Sequence, residues 1–218
     1  MNKPLQVPMF KPETEWVPPT HLPDLRDHKE IAIDLETRDP NLLTMGSGSV
    51  RGDGEVIGIA VAVEGWSGYF PINHEGGGNM DRALVLDWFE EVLHTDATKI
   101  FHNAMYDVSW IRSMGFQIRG GIIDTLIAAS LINENRWGYA LNALGKEYVG
   151  MGKNEKILQE AAKEWGVNPK SEMWRLPAPL VGEYAEQDAV VTLKLWHALQ
   201  HEISKQDLWD VFNMETNL

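Results

Sequence analysis

The stretch Ile31-Ala32-Ile33-Asp34-Leu35-Glu36 constrains this chain most. Its residues alternate with the period of two that a β-strand imposes. Ile31, Ile33 and Leu35 share one face, and Ala32, Asp34 and Glu36 share the other. The two carboxylates therefore stand side by side on an otherwise apolar strand. Two like charges so placed repel each other unless a cation or a proton lies between them. A strand with one polar, solvent-facing side is the plainer reading of these six residues, and taken alone they favour it.

The surrounding pattern sets the fold class. Prolines at 4, 8, 12, 18, 19 and 23 break any helix before residue 28, which predicts an extended N-terminal arm over 1–28. Strands are expected at 56–63 and 68–72, followed by a glycine-rich turn at 74–79. Residues 45–54 read as a Gly/Ser-containing loop. Helical periodicity covers 81–94, with Leu84, Trp88 and Val92 on one face and Asp81 as the cap. A short strand at 99–102 leads into a helix at 104–114. A strand at 122–123 leads into a helix at 125–132 that Asp124 can cap. The remainder reads as helices at 141–148, 154–165 and 179–204, with a proline-bearing loop at 168–179. Strands that meander early and then alternate with helices predict an α/β fold, a mixed sheet covered by helices.

Composition narrows the function classes. The 218 residues suffice for one domain with a sizeable core, and 44% hydrophobic with 23% charged residues suits a globular chain. No apolar run approaches the roughly 18 residues of a membrane span, and the N-terminus lacks the apolar core of a secretory signal. No membrane association and a cytoplasmic location are therefore expected. With no cysteine, disulfides and thiolate metal sites are excluded. The net charge of −13 argues against a broad duplex-binding surface, whose signature is basic. It leaves room for a narrow cleft, because a carboxylate cluster is acidic when empty and much less so when it holds cations.

Two further motifs carry carboxylates where apolar residues belong. In Asn103-Ala104-Met105-Tyr106-Asp107, Asp107 lies on or beside the helical stripe of Ala104, Val108, Ile111 and Met114. Asn103, four residues earlier, either points the same way or caps the helix. In Tyr184-Ala185-Glu186-Gln187-Asp188, Asp188 falls within the series Val181, Tyr184, Asp188, Val191, Leu195, Leu199, and Tyr184 precedes it by one turn. A surface Tyr–Asp pair explains the last motif alone. Two helices that each aim a carboxylate at the core, together with a same-face pair on a strand, are harder to explain without a ligand. Burying an unpaired carboxylate is costly, and hard oxygen donors suit Mg²⁺ or Mn²⁺. Two such ions about 3.5–4 Å apart can activate water and hold a scissile phosphate.

The order D-x-E, then N-x-x-x-Y-D, then Y-x-x-x-D resembles the three motifs of the DnaQ-like, or DEDD, exonuclease superfamily. Glu183 stands where the histidine subtype has its histidine, so Tyr184 marks the tyrosine subtype. The stretches IAIDLETRDP, DTLIAASLI, MWRLPA and VGEYAEQDA are similar to the proofreading domain of phage-type family A DNA polymerases. The resemblance spans residues 29–204. It implies a ribonuclease H-like sheet, an antiparallel meander followed by parallel strands, and 3′→5′ hydrolysis of single-stranded or frayed DNA to 5′-mononucleotides. It implies two divalent cations, Mg²⁺ or Mn²⁺, held by Asp34, Glu36, Asp107 and Asp188, with Tyr184 orienting the attacking water. Thr37 would lie near the terminal 3′-hydroxyl and Asn103 near the terminal nucleotide, with Pro40 or Leu42 as the apolar wedge. Trp137 and Trp174 are candidates for base stacking, and Arg175 for a phosphate contact. Residues 205–218 resemble the lead-in to a polymerase domain, fused or recruited. The alternatives are a ribonuclease D-like RNA exonuclease and a non-catalytic polymerase support domain.

Other features read as structure. His197 and His201 have zinc-pair spacing, but Ala198 follows where the metalloprotease pattern needs Glu. The runs Gly76-Gly77-Gly78 and Gly46-Ser47-Gly48 lack the Lys-Ser/Thr of a phosphate loop. Capping explains Asp124, and a turn with Pro40 explains Asp39.

Overall fold

The computed structural model describes residues 13–152 and 154–216. From residue 13 to residue 29 the chain has no helix or strand, only bends and a turn at residues 26–27. Its earlier positions, including Pro4, Pro8 and Pro12, lie outside the described residues, as do Asn217 and Leu218.

The sheet has the order β3-β2-β1-β4-β5. Strand β1 (Glu30–Arg38) pairs antiparallel with β2 (Glu55–Val63), which pairs antiparallel with β3 (Trp66–Pro71). On its other edge β1 runs parallel to β4 (Thr98–Phe101), and β4 to β5 (Ile122–Asp124). This is the predicted meander followed by parallel strands.

The alternation in β1 divides the core. Ile31, Ile33 and Leu35 pack with Phe70, Trp88, Phe89 and Ile111, against α3 (Arg82–Leu93) and α4 (Ala104–Ser113). Ala32 faces the opposite core with Ala60, Ala62 and Tyr69, under α5 (Thr125–Ile132), α7 (Lys156–Trp165), α8 (Gly182–Lys205) and α9 (Trp209–Thr216). The β2 partners of Ala32, Asp34 and Glu36 are Ala62, Ala60 and Gly58, all small. That low floor admits α8 close to β1. At Gly58 the Tyr69 ring takes the space outright, since a Cβ there would lie 2.0 Å from its hydroxyl.

Local details depart from the sequence expectation. Residues 42–51 form two helical turns, α1 (Leu42–Met45) and α2 (Gly48–Arg51), with Ser47 capping the second. Leu84 is exposed on α3, because the buried stripe is Val85, Trp88, Phe89, Val92 and Leu93. The segment predicted as helix over 141–148 starts as α6 (Leu141–Leu144) and widens into a π-helical turn at Gly145–Val149. The loop before α8 contains two 3₁₀ turns, Met173–Arg175 and Ala178–Leu180, so the last long helix begins at Gly182 rather than at Pro179. The tail folds back as α9, where Phe212 stacks on Trp196 with centroids 5.5 Å apart.

Candidate active site

The carboxylates converge. Ligand atoms of Asp34, Glu36 and Asp188 all lie within 4.8 Å of one another, and among the described residues this is the cluster of acidic or histidine side chains that could hold a metal ion. Strand period brings Asp34 and Glu36 together, and the small β2 floor lets α8 deliver Asp188. Glu36 is 8% exposed and Asp188 4%, so their mutual repulsion is poorly screened by water. The three ligand atoms are carboxylate oxygens, a donor set that fits a hard divalent cation.

Asp107 is 4% exposed and stands beside this trio rather than within it. Strand β4 pairs with β1 only as far as Ala32, and the amide of Leu35 donates to Asp107 Oδ1 at 2.9 Å instead. The burial that a backbone donor rewards still disfavours charge. Desolvation first, and then Asp34, push the Asp107 carboxyl well above the usual range, while the Leu35 bond pulls it back. A positive ion near Asp34 would offset both penalties.

Tyr184 joins the group from one turn before Asp188. Burial, then the charges of Glu36, Asp188 and Asp34, raise its phenol pKa, so it stays a protonated O–H donor. Tyr69, on β3 and across β2 from Asp34, is held protonated in the same way, by burial first and by Glu36 and Asp34 after it.

Two recesses flank the cluster and share Ala140 and Leu141. One, of about 430 Å³, is lined by Glu36, Tyr184, Met173 and Lys170. The other, of about 420 Å³, is lined by Asp34, Asp188, His102 and Asn103. Asn103 adopts a left-handed backbone, φ 70°, and makes no side-chain capping bond, so its side chain is not spent as a helix cap. The start of α4 is held by Asp124, which accepts from the amides of Asn103 at 2.9 Å and Ala104 at 2.8 Å while capping α5 through Leu126 at 2.9 Å. Helix capping is therefore only part of what Asp124 does. One carboxylate fixes both Asn103 and the helix that carries Asp107, a role with no signal in local sequence. Thr37 follows a β-bulge at Glu36/Thr37, and its hydroxyl lies 2.7 Å from that of Tyr106, which donates to Asp39 at 3.3 Å. Tyr106 sits inside the second motif, yet its link to Thr37 was not legible there.

The substrate-side expectations divide. Trp174 is buried, with the Arg38 guanidinium 4.7 Å above its ring, so it has no open face for a base. Arg175 is buried between Glu75 at 3.2 Å and Glu172 at 3.3 Å and is spent on those carboxylates rather than presented to a phosphate. In this structure both residues brace the loop before α8. Trp137, by contrast, is fully exposed, two residues before Tyr139 on the recess wall. Pro40 and Leu42 are exposed as a wedge requires, but Leu43 beside them is 96% exposed against 38% for Leu42. His197 makes no zinc pair; its Nε2 lies 2.7 Å from Glu30.

Known proteins resemble this chain along most of its length. A family model described as 3′-5′ exonuclease matches residues 20–204. A DNA-directed DNA polymerase of Pseudomonas phage M6 is 37% identical over 98% of this chain and 33% of that polymerase. The DNA polymerase DpoZ of Salmonella phage PMBT28 is 30% identical over 90% of this chain and 30% of its own length. The chain thus spans about a third of the length of these curated relatives. Among solved structures, Brucella melitensis NrnC superposes with a TM-score of 0.62 at 17% identity, covering 90% of this chain and 85% of that one. Escherichia coli RNase D does so with 0.59 at 17% identity, over 88% and 44%. At such identities the two share the fold.

Proposed function

Because the chain belongs to the 3′-5′ exonuclease domain family, we propose that Asp34, Glu36, Asp107 and Asp188 are its metal ligands, that Tyr184 is its water-orienting residue, and that its substrate is the 3′ end of DNA. The observation that carries this reading is the convergence of three carboxylates from one strand and one helix within 4.8 Å, with Asp107 buried beside them.

Asp34, Glu36 and Asp188 would hold one divalent ion, and Asp34 with Asp107 a second. Mg²⁺ and Mn²⁺ both suit the oxygen donors. When bound, such a pair supplies Lewis-acid activation of water and neutralises charge on the phosphate. The chain's own residues do the rest. Tyr184 keeps its proton against three neighbouring carboxylates and can fix a water by hydrogen bonding. Thr37, oriented by Tyr106, meets the terminal 3′-hydroxyl, and Asn103 borders the terminal nucleotide. Trp137 offers an open aromatic face to an unpaired base, which stacking holds without sequence preference. Leu42, with Leu43, presents apolar surface where the strand would be parted.

The relatives that are DNA polymerases support a proofreading role beside a polymerase, fused or recruited, with residues 205–218 leading toward it. The described chain has no helix long and apolar enough to cross a membrane. A direct comparison of rates on a 3′-mismatched DNA primer and on an RNA 3′ tail tests the substrate. Faster release of 5′-mononucleotides from the DNA is expected. Preference for the RNA tail would replace this reading with the ribonuclease D-like one.

A further inference from the structure

Trp16 lies in the N-terminal arm, before the stretch that the exonuclease family model matches. Its indole Nε1 donates to Glu186 Oε2 at 3.0 Å, and Ser67 on β3 donates to Glu186 Oε1 at 2.6 Å. The indole is also tilted against Tyr69, with centroids 6.0 Å apart. Beneath it lies Gly182, the first residue of α8, where a Cβ would come within 2.3 Å of two indole atoms.

Gly182 and Glu186 are one turn apart and share a face of α8. Tyr184 and Asp188 are also one turn apart, each two residues further along, which turns them toward the other side of the helix. The arm therefore backs the two turns that present the tyrosine and the carboxylate to the cluster. Helix α8 has no side-chain cap at its N-terminus, and Val181 cannot supply one. From outside the helix, Trp16 is wedged between Gly182, Glu186 and Tyr69, while Asn154 donates to Glu183 and Gln187 on other sides of the same turns.

We propose that Trp16 is a positioning residue of the exonuclease site: seated on Gly182, it sets the placement of the first turns of α8 and hence of Tyr184 and Asp188. This rests on the exonuclease reading of the carboxylate cluster. Misplacing a reacting group by about 1 Å can cost on the order of 10²-fold in rate, so a loss of roughly tenfold to a hundredfold is expected.

The test is a mutant cycle on the full chain, with steady-state release of mononucleotides from 3′-labelled single-stranded DNA in Mn²⁺, well below the melting temperature. Trp16→Ala should lower kcat with little change in KM for DNA. Gly182→Ala should do the same, because its methyl displaces the indole. In the double variant the methyl enters vacated space, so Gly182→Ala should add no further loss to Trp16→Ala. Trp16→Phe, which keeps the ring and loses the bond to Glu186, should retain most of the rate, and it serves the test if Trp16→Ala fails to fold. A kcat within about twofold of wild type in Trp16→Ala, or an equal cost of Gly182→Ala in both backgrounds, would overturn the proposal. Asp188→Ala run alongside separates the two layers: activity surviving there sinks the reading of the site, whereas an active Trp16→Ala sinks only the role of the arm.

Discussion

His74 provides a quantitative test of how the sheet is tied to the loop before α8. It is 3% exposed, with Nδ1 at 3.0 Å from the Leu176 carbonyl and Nε2 at 2.7 Å from the Tyr69 hydroxyl. The carbonyl can only accept, so Nδ1 carries the hydrogen and Nε2 accepts from Tyr69. These two bonds join β3 to the loop that enters α8. Burial lowers the His74 pKa from 6.5 to about 4, and the Leu176 bond offsets only part of that. Between those values the unfolded chain binds a proton that the folded chain refuses. The stabilisation is therefore complete above about pH 6.5 and is lost as pH falls toward about 4. At about 1.4 kcal/mol per unit of pKa, the interval corresponds to about 3 kcal/mol. Urea unfolding in EDTA at about pH 7 and about pH 4, for wild type and His74→Gln, isolates this contribution, because the other titrating groups are common to both. Wild type should lose about 3 kcal/mol more than the variant over that range. Equal losses would refute the argument that a buried neutral imidazole links the sheet to the loop.

Two other perturbations address the approaches to the site. Asp124→Ala leaves three amides without their acceptor and should destabilise the chain by about 3 kcal/mol in denaturant unfolding; an effect under about 1 kcal/mol would show that Asp124 does not hold α4. Trp137→Ala should raise KM for single-stranded DNA by the equivalent of about 1–3 kcal/mol of stacking while leaving kcat in place, and an unchanged KM in steady-state kinetics would remove Trp137 from the substrate path.

The sheet and the carboxylates were legible because they break or keep a period. The two-residue alternation of β1 separates Ile31, Ile33 and Leu35 from Asp34 and Glu36, and the cores on the two faces of the sheet follow that division. Asp107 and Asp188 interrupt helical stripes that are otherwise apolar, and a charge at a buried position needs a reason. Periodicity is less informative about phase: Leu84 borders the broad buried stripe of α3, and only packing against the sheet turns it outward. What stayed hidden depends on partners distant in sequence. Arg175 reads as an open cation until Glu75, a hundred residues earlier, is seen against it. Trp16 reads as part of a loose arm until its bond to Glu186, 170 residues on, is seen. The second role of Asp124 likewise needs α4 and α5 to be side by side.

As the proposed catalytic centre, the carboxylate cluster should control both the rate and its dependence on metal. The most direct measurement is the rate of 5′-mononucleotide release from 3′-labelled single-stranded DNA by Asp188→Ala and wild type, with Mg²⁺ or Mn²⁺ added and then chelated. Losing several kcal/mol of charge stabilisation predicts a fall on the order of 10³-fold in the variant, with its melting transition retained, and abolition of wild-type activity by EDTA. A variant as fast as wild type, or cleavage that persists in EDTA, would contradict that role.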